Sequence, residues 1–362
     1  MLIHRLQVHA FRRFIAAELH PQPGFNLITG DNGSGKTSLL EALHLMAHGR
    51  SFRGRVRDGL IRQGEPALDV FVEWDAPPAS GRRAGLRHAG GSWEARLDGA
   101  TVSHLGELCE ALAVVSFEPG SHALVDGSSE HRRRYLDWGL FHVEHGFLAL
   151  WRRYARALKQ RNALLRQGRQ VEQLEAWEHE LAETGEALTA QREAYVARLQ
   201  PHMQGMAAAM LPAAGQAQLS LSPGWKRQEL SLADALLLAR ERDLVLGHTS
   251  IGPHRADLKL ELRDLPGREG LSRGQAKLAA LSMLLAQAAQ LADCDGHWPA
   301  LQLDDLASEL DRGHQRRVLQ TLAACDAQVF ITGTEPPSAL SGMDVPIAMF
   351  HVEHGAVSAQ TN

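Results

Sequence analysis

Cysteine is scarce. Cys109, Cys294 and Cys325 make up the whole complement, and they stand far apart in no C-x-x-C spacing. That argues against a disulfide framework and a thiolate zinc site, and it suits a reducing compartment. Long apolar runs are lacking too. The most apolar stretch, 278–292, is interrupted by Ser282, Gln287 and Gln290. It reads as a buried core helix rather than a bilayer span. The opening Met1-Leu-Ile-His-Arg-Leu has no signal-peptide h-region, so a cytoplasmic location is expected. Neither sign of charge dominates. Lys and Arg number 38 against 42 Asp and Glu, a net −4. Bulk charge therefore predicts no polyanion, and only a local basic surface can steer one. No period repeats. The hexamer Phe-His-Val-Glu-His-Gly does occur twice, at 141–146 and 350–355, and is taken as coincidence.

What is present is an ordinary globular balance. Of 362 residues, 44% are hydrophobic and 22% charged, enough for two domains or one large domain with an insertion. Leu2, Ile3, Leu6 and Val8, then Phe11 and Phe14, alternate as an opening strand pair. Phe25-Asn-Leu-Ile-Thr29 is a short strand running into a Gly-rich turn, and a helix from Thr37 to His48 follows. Residues 66–105 read as β-hairpins, with Asp98-Gly99 as one turn. From 129 to 200 there is no proline, and Leu174, Trp177, Leu181 and Leu188 are spaced as in packed helices. Residues 121–170 carry ten Arg/Lys against four acids, and 171–200 two Arg against seven Glu. Strand alternation returns at 257–263. The expected organisation is an α/β domain in two pieces, 1–122 and 246–362, around a helical lobe at 123–245.

Three motifs carry chemistry. Gly30, Asp31, Asn32, Gly33, Ser34, Gly35, Lys36 and Thr37 fit G-x-x-x-x-G-K-[ST], with Ser38 next. Glycines let backbone N–H groups turn inward around phosphate oxygens, and the helix N-terminus adds partial positive charge. Lys36 is placed to reach the β- and γ-phosphates of ATP, and the Thr37 hydroxyl to ligate Mg²⁺. Leu301-Gln-Leu-Asp304-Asp305 is an apolar strand ending in carboxylates. Asp304 would hold Mg²⁺, and Asp305 would polarise the attacking water. Gln302 breaks the apolar run. The third motif is Leu271, Ser272, Arg273, Gly274 and Gln275, then Lys277, opening an apolar helix. Its N-terminus is a second anion site. A chain with one phosphate loop has no use for two, so this one is expected to serve the ATP of a second copy.

The order of phosphate loop, helical insertion, L-S-x-G-Q, acidic strand and Ser308-Glu-Leu-Asp311 resembles the ABC-type ATPase heads of the SMC class, and within them the RecF family of bacterial recombination mediators. Phe11-Arg12, residues 49–53, Arg132-Arg-Arg-Tyr-Leu-Asp137, Leu158-Lys-Gln-Arg-Asn162 and Gly252-Pro-His-Arg255-Ala-Asp257 carry the likeness further. The implied fold class is α/β, an ABC/SMC-type P-loop ATPase head with an inserted α-helical lobe. The implied activity is a weak, DNA-stimulated ATPase acting as a switch. An ATP-dependent homodimer would hold double-stranded and gapped DNA and, with RecO and RecR, help load RecA on single strands. Ser272 would act in trans on the partner's γ-phosphate, and Asp311 would communicate across the dimer. Two positions depart from related patterns. Thr332 and Thr334 follow the C-terminal strand where a transporter ATPase has a switch histidine. Phe117-Glu-Pro-Gly leaves the Q-loop assignment open.

Candidate DNA contacts are Arg50, Arg53, Arg55 and Arg57, after the phosphate-loop helix, and Arg132, Arg133, Arg152 and Arg153. The latter group either meets phosphates or pairs with the Glu-rich stretch 172–186. No helix-turn-helix or zinc-finger pattern is visible, so backbone and shape recognition is expected. His142 and His145 lack an H-E-x-x-H frame, and Trp74 and Trp93 read as hairpin packing. A closer rival is another SMC-like repair ATPase with a nuclease role, against which no acidic metal cluster is visible outside the ATP site; a transporter subunit and a small-molecule kinase are rivals of other classes. The transporter is disfavoured by the 236 positions between Lys36 and Ser272 (272 − 36). The kinase leaves 271–277 without a purpose.

Overall fold

Leu68, Val70, Val72 and Trp74 are buried along one strand while the residues between them are partly exposed. This period of two makes a one-faced sheet, and it belongs to the larger of two structural units. In the computed structural model, residues 1–53, 59–167, 171–265, 267 and 270–360 are described. The first unit, the head, comprises 1–121, 209–211 and 272–362. The second, the helical lobe, comprises 122–208 and 212–271.

The head's strands are β1 (Leu2–Phe11), β2 (Phe14–Leu19), β3 (Phe25–Thr29), β4 (Leu68–Ala76), β5 (Ala79–Ala89), β6 (Ser92–Leu97), β7 (Ala100–Thr101) and β8 (Val114–Phe117). An antiparallel sheet runs β2-β1-β4-β5-β6-β7. Asp98 and Gly99 join β6 to β7 with positive φ at both positions, 51° and 89°, as a two-residue hairpin turn requires. Within the lobe lie β9 (Ala217–Ser222) and β10 (Asp257–Leu262), paired antiparallel. Residues 246–271 thus group with the helices rather than with the C-terminal part of the head, because β10 finds its partner there.

The second head sheet adds β11 (Ala300–Leu303), β12 (Val329–Gly333), β13 (Ile347–Glu353) and β14 (Ala356–Gln360), in the order β14-β13-β3-β12-β11-β8. β13, β3, β12, β11 and β8 are parallel, and β14 is an antiparallel edge. Every residue of β3, β11 and β12 is buried, as strands covered on both faces demand. Helix α1 (Lys36–His48) packs against strands of both sheets. Its Leu39, Leu40, Leu43, Leu45 and Met46 join Phe11, Phe14, Ile28, Val72 and Trp74 in the core.

The remaining helices are α2 (Gly106–Ala111), α3 (Ser129–Val143), α4 (Phe147–Gln167), α5 (Val171–Met210), α6 (Leu232–Leu246), α7 (Arg273–Asp295), α8 (Leu306–Glu309) and α9 (Arg312–Ala323). In the lobe, Leu174, Leu181 and Leu188 are buried along α5. The lobe also buries charge. Arg161 on α4 is fully buried and donates to Asp243 Oδ2 at 2.7 Å, Thr249 Oγ1 at 2.9 Å and Glu178 Oε1 at 2.9 Å. Arg240 donates to the other oxygen of Glu178 at 2.5 Å. Two cations and two carboxylates balance, which is the condition for burying them. Asn162 accepts from the Thr249 amide and hydroxyl, both at 2.7 Å.

Candidate functional site

β3 delivers the chain to Gly30 at the carboxyl end of the parallel sheet. Gly30 has φ +143°, and a Cβ there would meet the Val352 carbonyl oxygen of β13 at 2.3 Å. Gly35 has φ +122°, and its Cβ would lie 2.7 Å from the Phe14 ring. No residue with a side chain fits either place. The loop between them curls back on itself, and α1 starts at Lys36 with no acid in its first turn. The Lys36 ammonium sits inside the curl and donates to the carbonyls of Gly30 at 2.7 Å and Asp31 at 2.8 Å. Burial lowers its pKa, opposed by Asp305, Asp304 and Asp31.

β11 brings Asp304 to the same end. Its Oδ1 accepts from Thr37 Oγ1 at 2.8 Å and from Thr332 Oγ1 at 2.6 Å. Burial raises the pKa of this carboxyl, opposed by the two threonine hydroxyls and by Arg53. Thr332 has a second bond, accepting from the Asp305 amide at 2.9 Å. It can do both because β12 lies between β3 and β11, with Ile331 beside Leu303 in register. Asp305 itself is left-handed, at φ +53°, and opens α8. The Thr37 and Asp304 oxygens suit Mg²⁺, since about 2.9 Å separates neighbouring ligands of an octahedron with bonds of about 2.0–2.1 Å.

Ser272 caps α7 in a reciprocal box. Its hydroxyl accepts from the Gln275 amide at 3.2 Å, and Gln275 Oε1 accepts from the Ser272 amide at 2.9 Å. Arg273 and Gly274 lie between them. Ser272 is exposed, and its bonds stay within the first turn of its own helix. Lys277 pairs with Glu309 at 2.6 Å, tying α7 to the turn after Asp305. Asp311 caps α9 through the His314 amide, which holds its carboxyl below the usual range. It is exposed. Glu118, at the doubtful Q-loop position, accepts from the Gly120 amide at 2.5 Å.

A cavity of about 720 Å³ adjoins the phosphate loop, lined by Asp31 to Ser34, Arg12, Arg13, Arg62 and Gln63, and by His351 to Gly355. The second hexamer copy thus forms a cavity wall. The first copy runs from the end of α3 into the following turn, so the two share no structure. Two further residues escaped the sequence reading. Glu41 on α1 is fully buried and paired with Arg12 at 2.5 Å. Thr332 was noticed for the histidine it is not. Strand order alone, invisible in the sequence, places it beside Asp304.

The basic residues divide. Arg50 and Arg53 are exposed after α1. Arg55 and Arg57 lie outside the described residues. Arg132 is turned inward. It is 4% exposed, pairs with Asp257 at 2.6 Å, and donates to the Gly127 carbonyl at 2.8 Å. Arg133 is likewise turned inward, to Ser129 Oγ and the Ala256 carbonyl, each at 2.8 Å. Arg153 pairs with Glu180 at 2.9 Å and Glu183 at 3.4 Å, inside the Glu-rich stretch, yet half its side chain is exposed. Arg152 is exposed on α4.

A family model described as the RecF/RecN/SMC N-terminal domain matches residues 2–358. The DNA replication and repair protein RecF of Stenotrophomonas maltophilia is 62% identical over 99% of this chain and 100% of its own length. The chain belongs to the RecF family. RecF of Shewanella oneidensis, also named a DNA replication and repair protein, is 37% identical over 99% of both chains. A solved structure of the recombination mediator protein RecF with ATP, from the RecFOR pathway, superposes with a TM-score of 0.88 at 26% identity, covering 99% of this chain and 98% of that one. An SMC head bound to the winged-helix domain of ScpA gives 0.61 at 15% identity, with coverage of 99% and 97%. That second likeness concerns fold alone. The RecF-family architecture here is the α/β head of the ABC/SMC type.

Proposed function

We propose that this chain is an ATP-switched DNA-binding protein of recombinational repair and replication-fork recovery. The observation that carries the reading is the 2.8 Å contact between Thr37 Oγ1 and Asp304 Oδ1. It brings Thr37 of the first motif and Asp304 of the second together beside Lys36, whose ammonium is held within its own loop. Residues 30–38 would cradle the phosphates of ATP, with Lys36 on the β- and γ-phosphates. Thr37 and Asp304 would hold Mg²⁺, which neutralises developing phosphate charge when bound. Asp305 would orient the attacking water. The exposed Ser272 at the start of α7 would cover the γ-phosphate on a second copy, with Asp311 across the same interface. Two chains and two ATP would then form a closed dimer that holds double-stranded or gapped DNA. Slow, DNA-stimulated hydrolysis would loosen it.

Family membership and the RecFOR setting of the ATP-bound relative support a role with RecO and RecR in loading RecA on single strands, in the cytoplasm. Sedimentation of the full chain with ATP, ADP and no nucleotide tests the core of the proposal. A dimer is expected with ATP alone, and Ser272→Arg should bind ATP yet stay monomeric. A normal ATP-dependent dimer for that variant would overturn the trans site.

A further inference from the structure

Glu41 has no place in the phosphate chemistry, yet it is fully buried on α1. Three donors meet its carboxylate. Arg12 Nε reaches Oε2 at 2.9 Å, and Arg12 Nη2 and Ser51 Oγ both reach Oε1 at 2.5 Å. A buried carboxylate persists only with such partners. The donors come from two different segments flanking the helix that opens at the phosphate loop.

Arg12 lies in the turn between β1 and β2 with φ +56°, and Ala10, near the end of β1, has φ +50°. Side chains rarely accept this conformation, and it survives where the surroundings over-determine it. Here they do. The Arg12 amide donates to the Leu60 carbonyl at 2.7 Å, Arg12 Nη1 to the Gly59 carbonyl at 3.1 Å, and the Arg62 amide to the Ala10 carbonyl at 2.8 Å. Arg13 donates to the carbonyl of Gly33 inside the phosphate loop. Both arginines wall the cavity. On the other side, Ser51 Oγ also accepts from the Arg53 amide at 2.9 Å, and Arg53 carries the charge that acts on Asp304.

We infer that Glu41 is a positioning residue coupling the nucleotide cavity to Ser51 and, through it, to Arg53. This rests on the proposed ATP-switched DNA binding and assigns the route of the switch. Filling the cavity bears on Arg12 and Arg13. Glu41 transmits the position of Arg12 to Ser51, and Ser51 sets the backbone that presents Arg53. Glu41 and Ser51 touch no reacting atom. One carboxylate oxygen shared by Arg12 and Ser51 is a contiguous physical link of the kind through which two sites influence each other.

The test measures duplex affinity with and without ATP, and ATP affinity separately, on the full chain. Wild type should gain about tenfold or more in DNA affinity with ATP, a coupling of ordinary size. Ser51→Ala should bind ATP within about threefold of wild type while its gain falls below about threefold, and Ser51→Thr should restore the gain. Glu41→Gln should lose the gain as well. If that variant fails to fold, the Ser51 pair still decides. A full gain in Ser51→Ala, or no rescue by Ser51→Thr, would overturn the coupling while leaving the switch intact. Absence of any gain in wild type would instead overturn the functional reading, and the inference with it.

Discussion

Thr37 Oγ1 and Asp304 Oδ1 lie 2.8 Å apart although 267 positions separate them in the chain. The contact aligns the helix that starts the phosphate site with the strand that ends in its carboxylates. Asp304→Asn keeps the shape of that contact and removes the charge. Loss of Mg²⁺-dependent ATP hydrolysis by roughly a hundredfold is expected, as for removal of one electrostatic group from a reacting centre. Steady-state turnover against Mg²⁺ concentration measures it. Turnover within a few-fold of wild type would remove Asp304 from the metal site.

DNA affinity should fall steeply with salt, because each phosphate neutralised contributes about −0.9 to the slope of log K against log salt. Arg152→Ala, at an exposed position on α4, should flatten the slope by about one per protomer. Arg132→Ala should leave the slope unchanged, since its guanidinium is taken up by Asp257. Filter binding from low to physiological salt separates the two. A flat response in wild type would argue against phosphate contacts altogether.

Arg161→Met should destabilise the helical lobe. Glu178 and Asp243 are 9% and 0% exposed at the side chain, and would be left with one cation fewer. Breaking such a buried set costs about 3–5 kcal/mol. Urea unfolding followed by circular dichroism gives the number. A loss below about 1 kcal/mol would mean that the set relaxes by taking up water.

His44 and His48, one turn apart on α1, stack with ring centroids 3.9 Å apart. Burial drives both pKa values down, that of His48 to about 4. The unfolded chain therefore binds more protons than the folded one between about pH 6.5 and 4, and stability is lost as the pH drops through that window. For His48 the loss is on the order of 3 kcal/mol. Melting temperatures at pH 7 and pH 5 should differ, and less so in His48→Gln. Equal acid sensitivity in that variant would place the effect elsewhere.

How much of this was legible in the sequence depended on contiguity. The loop at 30–37 is written in eight adjacent residues, with glycines where φ is positive, so its backbone turn could be read directly. Gln302 looked like a flaw in the acidic strand. In the fold its Oε1 accepts from Ser116 Oγ at 2.9 Å, and Ser116 in turn accepts from His44 Nδ1 at 2.9 Å. That partnership spans β11, β8 and α1, and no local pattern announces it. Thr332 and Glu41 were missed for the same reason, since their partners stand ten to 29 positions away. The arginines of 132–133 show the opposite case. Charge on a helix is legible from sequence, but the Asp257 and the carbonyls that consume it are supplied by tertiary structure.

β3 carries the phosphate loop, and its partners in the sheet are β12 and β13. During synthesis, then, the strand made among the first is left without a neighbour in its own sheet until about residue 329 has been added. At roughly 5–20 residues per second that wait lasts on the order of tens of seconds. The Val352 carbonyl that presses on Gly30 arrives later still. The nascent chain therefore carries a written but unassembled phosphate loop for most of its translation. The helical lobe, encoded in between, has its own buried charges and apolar seams available to fold first.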